Sequence, residues 1–388
     1  MKDVVIVSAK RTAIGAFGKG FLNVPAFELG AAVIEDALKA IDLDPNLVGS
    51  IIMGNVLQSG LGQNPARQAA IKGGIPFDKP AFTVNEVCGS GMKAIHLGMQ
   101  SIQLGQHDIV VVGGFENMSR APHIVSNARF GTKFTSLETL DVIMSDGLQD
   151  AFTQLPMGIT AENVADQFNI TRLEQDKFAL ESQLRAIKAL SIGVFKSEIT
   201  PVFNGKEMIT VDEHVRNNSS LESLGKLKPA FKEGGSVTAG NSSGINDGAS
   251  ALILMSAEKA QELGLKVLAR IDGYSEVGND PAIMGYAPFV AMSDLIERHN
   301  LEIQKIDRIE LNEAFAAQSI AVSRDLNLDM SRVNVNGGAI ALGHPLGSSG
   351  SRIVVSLIHE LQRSQTHTGI ASLCVGGGIG LAMLISRP

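Results

Sequence analysis

An α/β fold built from two similar halves is what this sequence predicts, on three observations. β-branched runs alternate with amphipathic helical stretches over roughly the first 120 and the last 120 residues. A polar, turn-rich segment separates the two stretches. Each half carries a Ser-Gly pair that opens a helix leading to a strand ending in Val-Gly-Gly. These are Ser90-Gly91 with Val112-Gly113-Gly114, and Ser349-Gly350 with Val375-Gly376-Gly377.

The chain opens on the apolar run Val4 to Val7, too brief for a signal-peptide core and without a cleavage site, so Val4–Ser8 reads as a first strand. Ala26 to Ile41 follows as a helix, with Leu29, Ala32, Val33, Ala37 and Ile41 at three-and-four spacing. Ser50–Gly54, Ala81–Asn85 and Ile109–Gly113 read as further strands. This rhythm argues for a mostly parallel sheet covered on both faces. From Ala121 to Gly248 the rhythm stops, leaving turns and helices near Thr160–Phe168 and Glu174–Leu190. It resumes at Ala249–Met255 and continues through strands near Lys266–Asp272, Arg308–Leu311, Gly369–Cys374 and Gly380–Ile385. The expected domains are an N-terminal half over 1–120 completed by 249–265, an inserted subdomain over 121–248, and a C-terminal half over 266–388. Two such halves, face to face, place their strand ends around one cleft.

The 388 residues are 44% hydrophobic and 19% charged, enough for several cores in a soluble protein. A net charge of −7 leaves no basic footprint for nucleic acid or an anionic membrane. No run nears the roughly 18 apolar residues of a membrane span, and Ser386-Arg387-Pro388 is no organelle address. A cytoplasmic location is expected. Only Cys88 and Cys374 carry thiols, and in a reducing compartment two cysteines without clustered partners make neither a structural disulfide nor a zinc site.

Four segments hold the candidate chemistry. In Asn85-Glu86-Val87-Cys88-Gly89-Ser90-Gly91, the cysteine sits between a strand and a helix, where free N–H groups and the helix dipole favour a thiolate. An inert buried thiol is the alternative. In the stretch from Asn334 to Gly350, His344 is locked between Gly343 and Pro345, a setting for a base beside a thiol. No Lys-Ser/Thr follows this glycine-rich loop, so it is not a nucleotide P-loop. Cys374 ends a strand ahead of Gly376-Gly377-Gly378, whose N–H groups suit an oxyanion hole as well as a tight hairpin. Asn312 and Glu313 stand at a strand's carboxyl end, where α/β proteins place ligands, although an asparagine there also suits a helix cap. Residues 214 to 232 add Arg216, Lys226, Lys228 and Lys232 against one acid, Glu222, facing either an anionic ligand or solvent.

Together and in this order, the four segments resemble the active-site motifs of the thiolase family. The likeness runs from Val7-Ser8-Ala9-Lys10-Arg11-Thr12-Ala13-Ile14-Gly15 through Thr238 to Gly248 and on to the C-terminal glycine run. It is nearest to the short-chain, biosynthetic-type acetyl-CoA acetyltransferases. The resemblance implies two halves with mixed five-stranded sheets covered by helices, and a loop domain over coenzyme A. It implies a nucleophile in Cys88, a base in His344 that also holds the thioester oxygen, and a general acid/base in Cys374. Asn312 would position a water on the enolate oxygen, and the N–H groups of Cys88 and Gly376 would form an oxyanion hole. Met157, Arg216, Phe231, Ala239, Gly240, Ser243, Ile245, Met284 and Phe315 would bind acyl group and coenzyme A. Coenzyme A is then substrate and product, no cofactor is needed, and a homotetramer or homodimer is expected.

Two departures bear on the acyl group. Pro156 precedes Met157 where biosynthetic enzymes commonly have histidine, and Ala287 interrupts the usual pattern in Met284-Gly285-Tyr286-Ala287-Pro288. A degradative 3-ketoacyl-CoA thiolase therefore stays open beside the acetyltransferase. A decarboxylating synthase of the same fold usually has a second histidine where this chain has Cys374. A thiol-pair redox protein would need neither His344 nor Asn312.

Overall fold

The β-branched runs become nine main strands in the computed structural model, which describes residues 2–388. They are β1 (Val4–Thr12), β2 (Ser50–Gly54), β3 (Ala81–Val84), β4 (Ile109–Asn117), β5 (Asn246–Ser256), β6 (Ala269–Gly278), β7 (Arg308–Leu311), β8 (Thr368–Val375) and β9 (Ile379–Ser386). Across the sheet they run β7-β8-β9-β6-β1-β5-β4-β2-β3. In the N-terminal half β3, β2 and β4 are parallel, and β5 and β1 follow antiparallel. The C-terminal half repeats the pattern: β7 and β8 are parallel, β9 and β6 antiparallel. A parallel bridge between Ile309 and Val333 marks the fifth-strand position there. The halves join where Val5 pairs with Arg270 and Ile6 with Ala269.

The sheet is therefore mixed, as the family likeness implies, and the mostly parallel sheet expected from the βα rhythm is wrong. Five of its eight neighbouring pairs are antiparallel, counting β9–β8, β9–β6, β6–β1, β1–β5 and β5–β4. Periodicity reports that a strand exists, not its direction. Here the long excursion before β5 and the tight turn before β9 both return the chain reversed. Strand ends also shift. β6 runs to Gly278 rather than stopping at Asp272, because β9 pairs with it along that whole length.

Helices α1 (Ala26–Lys39) and α2 (Pro65–Lys72) cover one face of the N-terminal half. The middle layer is α3 (Ser90–Gln103), described with its counterpart below. The excursion contributes α4 (Met157–Gln167) and α5 (Arg172–Ser191), the latter opened by a Thr171–Glu174 capping box. In the C-terminal half, α6 (Ala287–Arg298) and α7 (Ala316–Asp325) cover the outer face. The last helix, α8 (Leu346–Ser364), packs with α3 between the inner faces of both halves. It starts before the expected Ser349, which lies within it. The excursion is pinned to β1 by Arg11, fully buried, whose guanidinium donates to Glu198 at 2.6 Å and to Asp212 at 2.7 Å.

Helix α8 is buried on every side from Leu346 to Ile358, and small residues let it approach α3 backbone to backbone. A Cβ on Gly350 would stand 2.6 Å from the Met92 nitrogen, and one on Gly91 would stand 2.7 Å from the Ser351 nitrogen. At Gly114 a Cβ would meet the Gly347 carbonyl oxygen at 1.9 Å. Gly114→Ala is expected to destabilise the fold by about 1–3 kcal/mol, because backbone rather than a flexible side chain must yield. A denaturant titration reads this directly, and an unchanged midpoint and slope would mean that the crossing relaxes freely.

Candidate active site

Between β3 and α3 the backbone turns through Val87, a β-branched residue at φ +45°. Such a residue in the left-handed region is strained by about 1–3 kcal/mol. Its neighbours hold it there. Asn85 Oδ1 accepts the Val87 N–H at 3.0 Å, and Ser90 Oγ donates to the Val87 carbonyl at 2.7 Å. The same Ser90 Oγ accepts the Glu86 N–H at 2.8 Å. The turn places Cys88 at the head of α3, half-buried, with the N–H of Gly376 directed at its sulfur.

Cys374 ends β8 and is buried beside Met157, Met284 and Phe315, close enough to Cys88 for the two thiols to interact electrostatically. Both thiols are free. His344 leads into α8. Its N–H donates to Asn246 Oδ1 at 3.0 Å, its Nδ1 lies 2.6 Å from Ser349 Oγ, and its Nε2 is buried without a partner. Cys88 packs on the apolar cluster that contains Leu346, two residues beyond His344. Asn312 follows β7 and its N–H donates to the Ser372 carbonyl at 2.9 Å, two residues before Cys374. Both polar atoms of the Asn312 side chain are buried and unpartnered. The cap of α7 is Phe315, so Asn312 is not a helix cap.

Beside these groups lies a cavity of about 570 Å³ between the excursion and the two halves. Met157, Arg216, Phe231, Ala239, Ser243, Ile245, Phe315 and His344 line it. Two expected residues do not. Gly240 faces Leu224 and Leu227, and Met284 lies in the apolar cluster behind Met157. Of the basic residues, Arg216 reaches the cavity, while Lys226 pairs with Glu222 and Lys232 with Asp166 at the surface. Sequence reasoning missed Phe17, Met118, Met144, Leu148 and His214, which also line it. Met144 and Leu148 sit on a π-helical turn, Ile143–Leu148, which is too short to show a helical period in the sequence.

Burial sets the charge state. It pushes the Cys88 thiol up to about 11, against the N–H groups of Gly376 and Cys88 that favour the thiolate. It pushes His344 down to about 3, helped by the Arg352 charge. Burial, with Cys88 alongside, raises Cys374 well above the ordinary thiol range. Both shifts favour a neutral thiol and a neutral imidazole at rest. The N–H groups favour the thiolate as the helix terminus leads one to expect, and desolvation works against them.

The thiolase N-terminal domain family matches residues 4–258, and the thiolase C-terminal domain family matches residues 265–387. The chain belongs to the thiolase family. As a thiolase it is an acyltransferase that works on acyl-CoA. A probable acetyl-CoA acyltransferase of Staphylococcus aureus (strain COL) is 52% identical over 392 aligned positions, covering 100% of both chains. An acetyl-CoA acetyltransferase of Pseudomonas aeruginosa shares the same identity and coverage, 52% and 100% of both. Among solved structures, this thiolase superposes on the Bacillus anthracis acetyl-CoA acetyltransferase with a TM-score of 0.97 at 44% identity, covering 100% of this chain and 99% of that one. The human mitochondrial 3-ketoacyl-CoA thiolase gives the same TM-score, 0.97, at 45% identity and the same coverage, 100% and 99%. No helix among the described residues is long and apolar enough to cross a membrane.

A neutral resting thiol makes Cys88 alkylation pH-dependent. Its rate with iodoacetamide should climb about tenfold per pH unit from pH 7 to 9.5, because the thiolate fraction grows until the pH nears the thiol's own value. A plateau at pH 7 to 8 would instead mean a resting thiolate–imidazolium pair.

Proposed function

We propose that this thiolase is an acetyl-CoA C-acetyltransferase, joining two acetyl-CoA into acetoacetyl-CoA and free coenzyme A, reversibly and through an acyl-enzyme. The observation that carries the reading is the meeting of two thiols from different halves, one under the Gly376 N–H, with Cys88 packed on the cluster of Leu346, two residues beyond a histidine whose Nε2 is free. His344 takes the Cys88 proton while the sulfur attacks the acetyl carbon. The N–H groups of Cys88 and Gly376 donate to the developing oxyanion, worth about 2.7–4 kcal/mol per donor in comparable sites. The departing coenzyme A thiolate takes the Cys374 proton. A Cys374 thiolate of raised basicity is what removal of an α-proton from the second acetyl-CoA requires. The carbanion attacks the acyl carbon, and the Cys88 thiolate leaves and recovers its proton from His344. The unpartnered Asn312 amide holds a water against the enolate oxygen.

In this reading the excursion over 121–248 covers coenzyme A, with Arg216 toward the nucleotide and Ala239, Ser243 and Phe231 along the pantetheine. Coenzyme A is substrate and product, and no cofactor takes part. The enzyme acts in the cytoplasm as a homo-oligomer, a tetramer or dimer. One observation favours a second reading, a degradative 3-ketoacyl-CoA thiolase. Met118, Met144, Leu148 and Leu346 give the cavity an apolar wall suited to an acyl chain, beside Pro156 rather than a histidine next to Met157.

Thiolysis of a 3-ketoacyl-CoA series by coenzyme A decides between them: acetoacetyl-CoA is expected to give the highest kcat/KM, whereas a rise with chain length selects the degradative enzyme. Cys88→Ala should abolish acyl-enzyme formation. Cys374→Ala should still acylate Cys88 and fail to condense, and normal condensation would remove Cys374 from the mechanism. Arg216→Ala should raise the KM for coenzyme A several-fold at nearly constant kcat, and an unchanged KM would return Arg216 to the solvated surface.

A further inference from the structure

We propose that Ser349 is a positioning residue for acyl transfer: its hydroxyl fixes the tautomer and ring orientation of His344, so that Nε2 presents a lone pair to the Cys88 thiol. The inference rests on reading His344 as the base for Cys88.

Ser349 is fully buried within α8. Its Oγ lies 2.8 Å from the Pro345 carbonyl oxygen and 2.6 Å from His344 Nδ1. A hydroxyl has one hydrogen for these two contacts. If that hydrogen goes to Nδ1, the ring must carry its own proton on Nε2, a buried atom with no acceptor. The hydroxyl and carbonyl oxygens would then face each other at 2.8 Å with no hydrogen between them. If the hydrogen goes to Pro345, the bond is the usual one from a helical serine to the carbonyl four residues back. Nδ1–H then donates to Oγ, every donor has an acceptor, and Nε2 is left as an acceptor at the cleft.

The backbone around the ring is already fixed. Gly343 is at φ +112°, where a side chain would strike Asn246, and Asn246 accepts the His344 N–H. Pro345 follows, with its own φ restricted. What remains free is the ring, and Ser349 is the polar contact on its far nitrogen. When the Cys88 proton arrives at Nε2, the chain from Nδ1–H through Oγ–H to the Pro345 carbonyl already points its acceptors at the new charge. Nothing needs to turn. Arg352, further along the same helix, opposes that charge, which makes the oriented hydroxyl the group that offsets it.

The test compares Ser349→Ala, Ser349→Thr and His344→Ala in single-turnover acylation of Cys88 by acetyl-CoA. Ser349→Ala should slow acylation roughly 10- to 100-fold while the KM stays within about twofold, and Ser349→Thr should recover most of the rate. Wild-type speed in Ser349→Ala alongside loss in His344→Ala would overturn the positioning role and leave the base intact. Wild-type speed in His344→Ala would instead overturn the base. Should the buried threonine not fold, 15N spectra of histidine-labelled wild-type enzyme decide, with the His344 signals identified by their absence in His344→Ala. A protonated Nδ1 and unprotonated Nε2 support the proposal, and the reverse tautomer overturns it.

Discussion

The crossing of α3 and α8 is the constraint on which the rest of the structure depends. The two helices meet through Gly91 and Gly350, with Gly347 laid against Gly114 on the sheet, so backbone touches backbone in both directions. The gaps left by missing side chains are closed by hydroxyls: Ser250 Oγ lies 2.6 Å from Ser351 Oγ and 3.0 Å from Ser348 Oγ. Each helix carries one chemical group at its head, Cys88 on α3 and His344 on α8. Packing without side chains leaves the heads no freedom to drift, and interiors of this density transmit a displacement rather than absorb it. Glu116 ties the same region together from below, accepting N–H groups of Val56, Leu57 and Gly347 and the Asn55 amide. Burial lifts that carboxyl to about 7 despite its four donors.

Burial favours a site in which the catalytic thiol and imidazole carry charge only in transit. The thiol and imidazole are both pushed toward neutrality, and the nearby N–H groups are set for an oxyanion that exists only during transfer. The strained turn at Val87 belongs to the same economy of motion. The hydrogen bonds from Asn85 and Ser90 fix the nucleophile's direction before any substrate arrives.

Much of this was legible in the chain. The α1 stripe, the β2 run and the β7 run gave themselves away by spacing and composition, and the four motif segments did converge on one region. What escaped has physical reasons. Strand direction is a property of connections, so a mixed sheet read as parallel. The charge of Cys88 depends on burial, which no spacing reports. Met144 and Leu148 lie on a six-residue π-helical turn in a polar, turn-rich stretch, too short for a period to show. Gly240 is expected at the cavity from the family likeness, yet residues in a turn face different ways, and it faces Leu224 and Leu227 while Ala239 and Ser243 line the cavity. Ser349 read as the start of a helix, and its contact with His344 appears only once α8 begins a turn earlier.

The placement of β5 has a consequence for how such a chain is made. β5 lies between β1 and β4, with Val4 pairing Ser256 and Asp247 pairing Asn117. A nascent chain that has not yet delivered Asn246–Ser256 holds β1 and β4 with two long apolar edges unpaired, the pattern most prone to pairing with a neighbouring chain. Closing them requires that the entire excursion be threaded out and back, a non-local step slow by its topology. For this protein the hazardous interval falls during synthesis, between the emergence of the first strands and the arrival of the one that seals them.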